Sequence, residues 1–237
     1  MYIYISVFVL LSYINHKSYD IFDKILSNNF NVYNNLTNNR KLYVLKNTIK
    51  SILLCITSIY ATYVFIDPIL YNKWDNFTIH MLGLLYSITD IISLYKVPKL
   101  PKSTKLHHIC VTILCITNLF NDYTYFTFWR ALLAYAILSA YSFTVNLYLA
   151  YRIISPNDYW RVVLCKIAYY TYMICFTFNW ILQYYTAYVM WGIYNKTNNF
   201  NVIFLLYFIV AHLIMYDDII LIKFLFNSVK DNKLNLD

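Results

Sequence analysis

Asp90, His107 and His108 are the residues whose types and spacing best suit acid–base or nucleophilic chemistry. Asp90 lies near the end of one apolar run. The two histidines open the next, with only the polar stretch KVPKLPKSTKL between. Imidazole is a base and a nucleophile near neutral pH, and a carboxylate beside it fixes the tautomer and raises basicity. On a helix His80, Gly83, Ser87 and Asp90 fall within an arc of about 80°, so they share a face. His108, Thr112 and Cys115 share another, and Tyr135, Ser139, Ser142 and Asn146 a third. His212 sits mid-way along the last apolar run with Tyr216 on its face, while Asp217 and Asp218 point away from it. Asn179 and Gln183 form a further pair one turn apart. Each group has a plainer alternative. A His pair can decorate an interface, an Asp near a helix end can snorkel, and uncharged polar side chains commonly hold helices together.

The elements that must position these residues are membrane-crossing helices. The chain has 237 residues, of which 60% are hydrophobic and only 13% charged. A soluble domain carries about 25% charged residues, so this chain could not cover its surface against water. Two glycines and four prolines leave no Gly-rich phosphate loop and few tight turns, which excludes a P-loop enzyme and a sandwich of short strands. A crossing needs about 20 apolar residues. Six core spans are expected, over 51–71, 77–95, 107–127, 129–151, 162–186 and 202–226. The run 1–14 is short for a full crossing. It has no basic n-region and no small-residue cleavage site, so it reads as a retained segment that either crosses or does not. Residues 15–44 read as a loosely ordered polar arm with an amphipathic helix near 40–50, and 227–237 as a tail. The fold class is all-α, a polytopic transmembrane helical bundle. The five cysteines lie in apolar runs without a CxxC pair, which fits packing residues and calls for no metal.

Sidedness follows from charge. Under these spans sixteen of the nineteen Lys and Arg fall on one side, and only Lys73, Arg130 and Lys196 on the other. The positive-inside bias makes the basic side cytosolic, together with the C-terminus. The net charge of +8 thus reflects topology, not nucleic-acid binding. An ionisable side chain at mid-membrane costs about 2.5–3.5 kcal/mol on insertion scales, so Asp90 and the His pair read as functional. Arg130, at the far end, is expected to snorkel.

The segment LLYSITDIISLYKVPKLPKSTKLHHICVTILC resembles the TLC-domain family, which includes ceramide synthases, translocating-chain-associated proteins and small lipid-regulating membrane proteins. The shared pattern is Asp90 near a span end, a short polar loop, then His107-His108. Arg130 and YSFTVN, ending at Asn146, are similar to further family positions. The resemblance covers about residues 45–226. It implies six spans around a lipid chamber, with His80, Ser87, Thr112, Ser139, Ser142, Asn146 and His212 as its polar lining. In ceramide synthases the His pair supports acyl transfer from acyl-CoA to a sphingoid base. Those enzymes carry a further HDxSD-type motif. Here no Asp or Glu occurs between Asp122 and Asp158, and an acidic position of the small members is Ser139. The expectation is therefore a multi-pass protein of the endoplasmic reticulum membrane that binds long-chain lipid and affects sphingolipid or fatty-acyl composition without a cofactor. The alternative is an N-acyltransferase using acyl-CoA, with His107 or His108 as base or nucleophile and Asp90 orienting it.

Overall fold

The computed structural model describes residues 2–156, 159–197 and 202–234, and the described residues are helical without a strand. The helices are α1 (Tyr2–Asn29), α2 (Asn31–Asn34), α3 (Asn38–Tyr71), α4 (Asn76–Lys96), α5 (Lys102–Asn118), α6 (Trp129–Ala140), α7 (Phe143–Ile154), α8 (Tyr159–Thr197) and α9 (Val202–Leu234). Among the described residues five stretches are long and apolar enough to cross a membrane: 38–68, 76–96, 129–154, 159–196 and 202–231. The chain is an all-α bundle of the integral membrane class. The outward faces of α3, α8 and α9 carry Ile59, Tyr63, Ile174, Phe178 and Ile203, all exposed, as helices do when acyl chains rather than water surround them.

The helices close into a ring. α3 packs on α4, α4 on α5, α5 on α9, α9 on α8, α8 on α6 and α7, and α7 back on α3. The expected six-membered bundle is therefore present, but one member is shorter than expected. The span predicted over 107–127 is α5, which stops at Asn118. Residues 119–128 are a loop because polar groups there bond laterally rather than along a helix. Asp122 accepts from the Asn76 amide at 2.9 Å and from Thr124 N at 3.0 Å, and Asn76 Oδ1 accepts from Tyr123 N at 2.7 Å. Those bonds hold the Asp122 carboxyl below the usual carboxylate range. Arg130 is held within the chain at this end of the bundle. It donates to the Tyr123 carbonyl at 3.0 Å and the Thr124 carbonyl at 3.1 Å, and its guanidinium stacks 3.8 Å over Trp74. The span 129–151 is two short helices that break at Tyr141 and Ser142.

Helix ends follow from local chemistry. α3 ends on Asn72 in the left-handed conformation (φ 50°), which asparagine tolerates better than most residues. Asp75 then caps α4, accepting from Phe77 N at 3.3 Å and Thr78 N at 3.1 Å.

Residues 15–44, read as a loose arm, are mostly helical. α1 continues unbroken to Asn29, and α2 and the start of α3 fold back on it around Tyr19, Leu26, Tyr33 and Val44. α1 runs parallel to α4, with Tyr4 beside His80 at one end and Lys96 3.2 Å from His16 at the other. Of the segment between the spans expected over 162–186 and 202–226, residues 198–201 lie outside the described residues, as do 157–158 and the end of the tail, 235–237.

Candidate functional site

The antiparallel pair α4–α5 builds the centre of the site. The face predicted for α4 meets α5 and, at its His80 end, the loop that follows α5. His80 contacts the Asn121 carbonyl at 2.9 Å, and Gly83 lies against the Asn118 amide. Ser87 donates to Cys115 Sγ at 2.9 Å, and Asp90 meets His108. Gly83 leaves room for the Asn118 side chain, since a Cβ there would collide with Asn118 Nδ2.

Asp90 is fully buried and is approached from two sides. Lys50, reaching in from α3, donates to Oδ1. His108 Nδ1 lies 2.9 Å from the same oxygen, in a bent contact whose angle departs from that of a straight hydrogen bond. A carboxylate at Nδ1 favours the proton there, which leaves the lone pair on Nε2. That Nε2 is buried and has no hydrogen-bond partner. His107 stands edge-on to His108, ring centroids 5.7 Å apart, and turns its Nδ1 to Asp217 Oδ2 at 3.4 Å. Asp217 also accepts from Thr104 at 3.5 Å, and Asp218 accepts from the Tyr172 hydroxyl at 2.7 Å.

All of these side chains except Asp90, which lies behind Lys50 and His108, border a cavity of about 300 Å³ to which all six ring elements contribute. Its polar lining includes Lys46, Lys50, His107 and His108 from α3 and α5, and Ser139, Ser142, Asn146 and Arg152 from α6, α7 and the break between them. Tyr86 and Tyr135, whose hydroxyls are 3.4 Å apart, line this cavity and also a small apolar one of about 30 Å³ bounded by Leu82, Ser87, Val111 and Leu132. Ligand pockets run to about 300–1,000 Å³, so the polar cavity is large enough to hold a ligand group.

The structure thus brings Asp90, His107, His108, Ser139, Ser142 and Asn146 together, and puts Ser87 in the adjoining apolar cavity. It separates three others. Thr112 returns its hydroxyl to the His108 carbonyl at 2.8 Å. His80 belongs to the opposite end of α4, between Tyr4 and Asn121. His212 packs among Trp180, Tyr184 and Phe208 on α8 and α9. Asn179 and Gln183 hold helices together: Gln183 donates to the Ala131 carbonyl at 2.8 Å and accepts from Tyr207 at 2.8 Å. No disulfide joins the described cysteines; Cys110, Cys115, Cys165 and Cys175 are buried, as packing residues would be, and Cys55 is exposed.

Sequence reasoning missed Lys46, Lys50 and Arg152 as site residues, because they were absorbed into the topological charge count. A signal was present: Lys46 and Lys50 lie one turn apart, inside a stretch that becomes buried. Asp90, His107 and His108 offer ligand atoms within 4.8 Å of one another, a set of the kind that holds a zinc-class ion. Lys50 on Asp90, with Lys46 lining the same cavity, makes the set cationic and a poor home for a divalent cation. No family model, curated protein or solved structure matches this chain.

Proposed function

We propose that this is a TLC-like membrane protein that takes the polar end of a long-chain lipid into the chamber and so affects the sphingolipid or fatty-acyl composition of its membrane. The supporting observation is the cavity itself, polar on its Lys46, His108 and Ser142 walls and meeting an apolar recess at Tyr86 and Tyr135. An amphiphile matches that division: a headgroup finds hydrogen-bonding side chains, and the first methylenes find a surface without them. The protein resides in the endoplasmic reticulum membrane with the basic end and the C-terminus in the cytosol. The first helix crosses beside α4, because Tyr4 and His16 lie at opposite ends of that span. Mass spectrometry of lipid carried through purification tests the reading. Wild type should retain a long-chain lipid, and His107→Ala, His108→Ala and Asp90→Asn should change its amount or identity per folded molecule. Unchanged lipid in all three folded variants would sink it.

A second reading is acyl transfer from acyl-CoA to a sphingoid base, favoured by one observation: His108 carries a carboxylate at Nδ1 and an unpartnered Nε2. Purified protein should then form N-acylated product, and His108→Ala should abolish it. Lipid retention without product leaves the binding reading alone.

A further inference from the structure

Among the described residues, Lys46 and Arg152 line the cavity with no carboxylate at ion-pair distance. Lys46 is only 6% exposed, and among the described residues no hydrogen bond or carboxylate within ion-pair distance reaches its ammonium. Arg152, at the last turn of α7, lays its guanidinium 4.5 Å over the Phe224 ring, and its Nε is buried without a partner. The carboxylates of the cavity are engaged elsewhere. Asp90 is held by Lys50 and His108, Asp217 by Thr104 and His107, and Asp218 by Tyr172. A buried ammonium without a partner is strongly unfavourable, so such a group marks the place of an anion.

A third feature points the same way. α5 begins at Lys102 with no side-chain cap, and Pro101, Ser103 and Thr104 line the cavity. The free N–H groups of a helix's first turn attract anions. An ammonium, a guanidinium fork and a helix N-terminus together offer more donors than a carboxylate can use. They suit the several oxygens of a phosphate.

We propose that the polar cavity is a phosphate site, in which Lys46 and Arg152 hold the phosphate of an anionic lipid headgroup. This rests on the lipid-binding reading and narrows its ligand to phosphate-bearing amphiphiles. The lipid phosphate supplies the charge that Lys46 lacks, while the chain leaves past Tyr86 and Tyr135. Lys50 is not part of the phosphate site, since Asp90 already neutralises it.

The test is a binding titration of purified full-length protein in a neutral detergent. The probes are dioctanoyl phosphatidic acid, dioctanoylglycerol and inorganic phosphate, run against wild type, Lys46→Met and Arg152→Gln. Wild type should prefer phosphatidic acid over the neutral lipid by about tenfold or more, the scale of a charge-assisted contact. Each variant should lose that preference and keep its affinity for dioctanoylglycerol. Ligand-free Lys46→Met should melt no lower than wild type, because it removes an unpaired buried charge. Should Lys46→Met fail to fold, Arg152→Gln carries the comparison. Equal affinity for both lipids in wild type overturns the phosphate site and leaves lipid binding standing. Saturable binding of inorganic phosphate with neither lipid bound supports the anion site and overturns its lipid source. Binding of none of the three probes overturns both.

Discussion

Lys50 and His108 converge on one carboxylate oxygen of Asp90, so the three side chains form a single electrostatic unit. Breaking a buried pair by removing one partner leaves the other charge uncompensated. Asp90→Ala should therefore cost about 3–5 kcal/mol of stability through the stranded Lys50 ammonium. Adding Lys50→Met should recover most of it. Denaturant unfolding in detergent measures both. A double variant no more stable than the single one would show that the pair does not share its energy. Membrane insertion should be unaffected, because it depends on the apolar transfer summed along each span. This residue-level centre was half legible. Asp90 and the histidines stood out as ionisable groups in apolar runs. Their third partner did not, because a lysine in a basic stretch reads as a topological signal until a fold buries it.

At the scale of the element, α4 against α5 is the contact that sets the depth of the site. Asn118 cannot yield to a larger residue at position 83, since its Oδ1 is held by the Tyr123 hydroxyl at 2.5 Å. Gly83→Leu should cost about 1–3 kcal/mol by overpacking, and Asn118→Ala in the same chain should relieve part of it. Melting temperatures of the single and double variants check this, and independent, additive losses would refute the contact. The loop after α5 carries a pH dependence. Asp122 has its carboxyl held low by bonds from Asn76 and Thr124. A lowered folded-state value means that its contribution is complete above the ordinary aspartate range and is lost as pH falls through the lowered value. The stability difference between wild type and Asp122→Asn should accordingly shrink in acid. A difference constant with pH would assign it to shape rather than charge. That loop was read as the end of a span because hydropathy averages over Asn118, Asn121 and Asp122 without seeing their lateral bonds.

For the whole molecule, the parallel packing of α1 on α4 puts the N-terminus at the end of the bundle opposite Lys96 and the basic loop. A glycosylation tag added at the N-terminus should be modified, and so should a lengthened loop carrying Asn195-Lys-Thr. Asn35-Leu-Thr, at the basic end beside α2, should stay unmodified. Gel mobility before and after deglycosylation reads all three. Modification at Asn35 with an unmodified N-terminal tag would invert the topology.

Some of this was determined by composition and period alone. An apolar run long enough to span a bilayer must satisfy its backbone internally, so runs of that length and so few charges dictate helices before any contact is known. The shared face of His80, Gly83, Ser87 and Asp90 follows from helical geometry, as does that of Tyr135, Ser139, Ser142 and Asn146, which lines the cavity even though the helix breaks at Tyr141. Tertiary structure decided which faces meet. Period tells that two residues point the same way, but not what they point at. His80 and His212 therefore looked like chamber residues while one binds a loop and the other an aromatic cluster. The cavity itself is a property of ring closure: the Lys46–Lys50 pair, Arg152 and Asp217 are distant in sequence, and only the closing of α3, α7 and α9 into one ring brings their charges to one cavity.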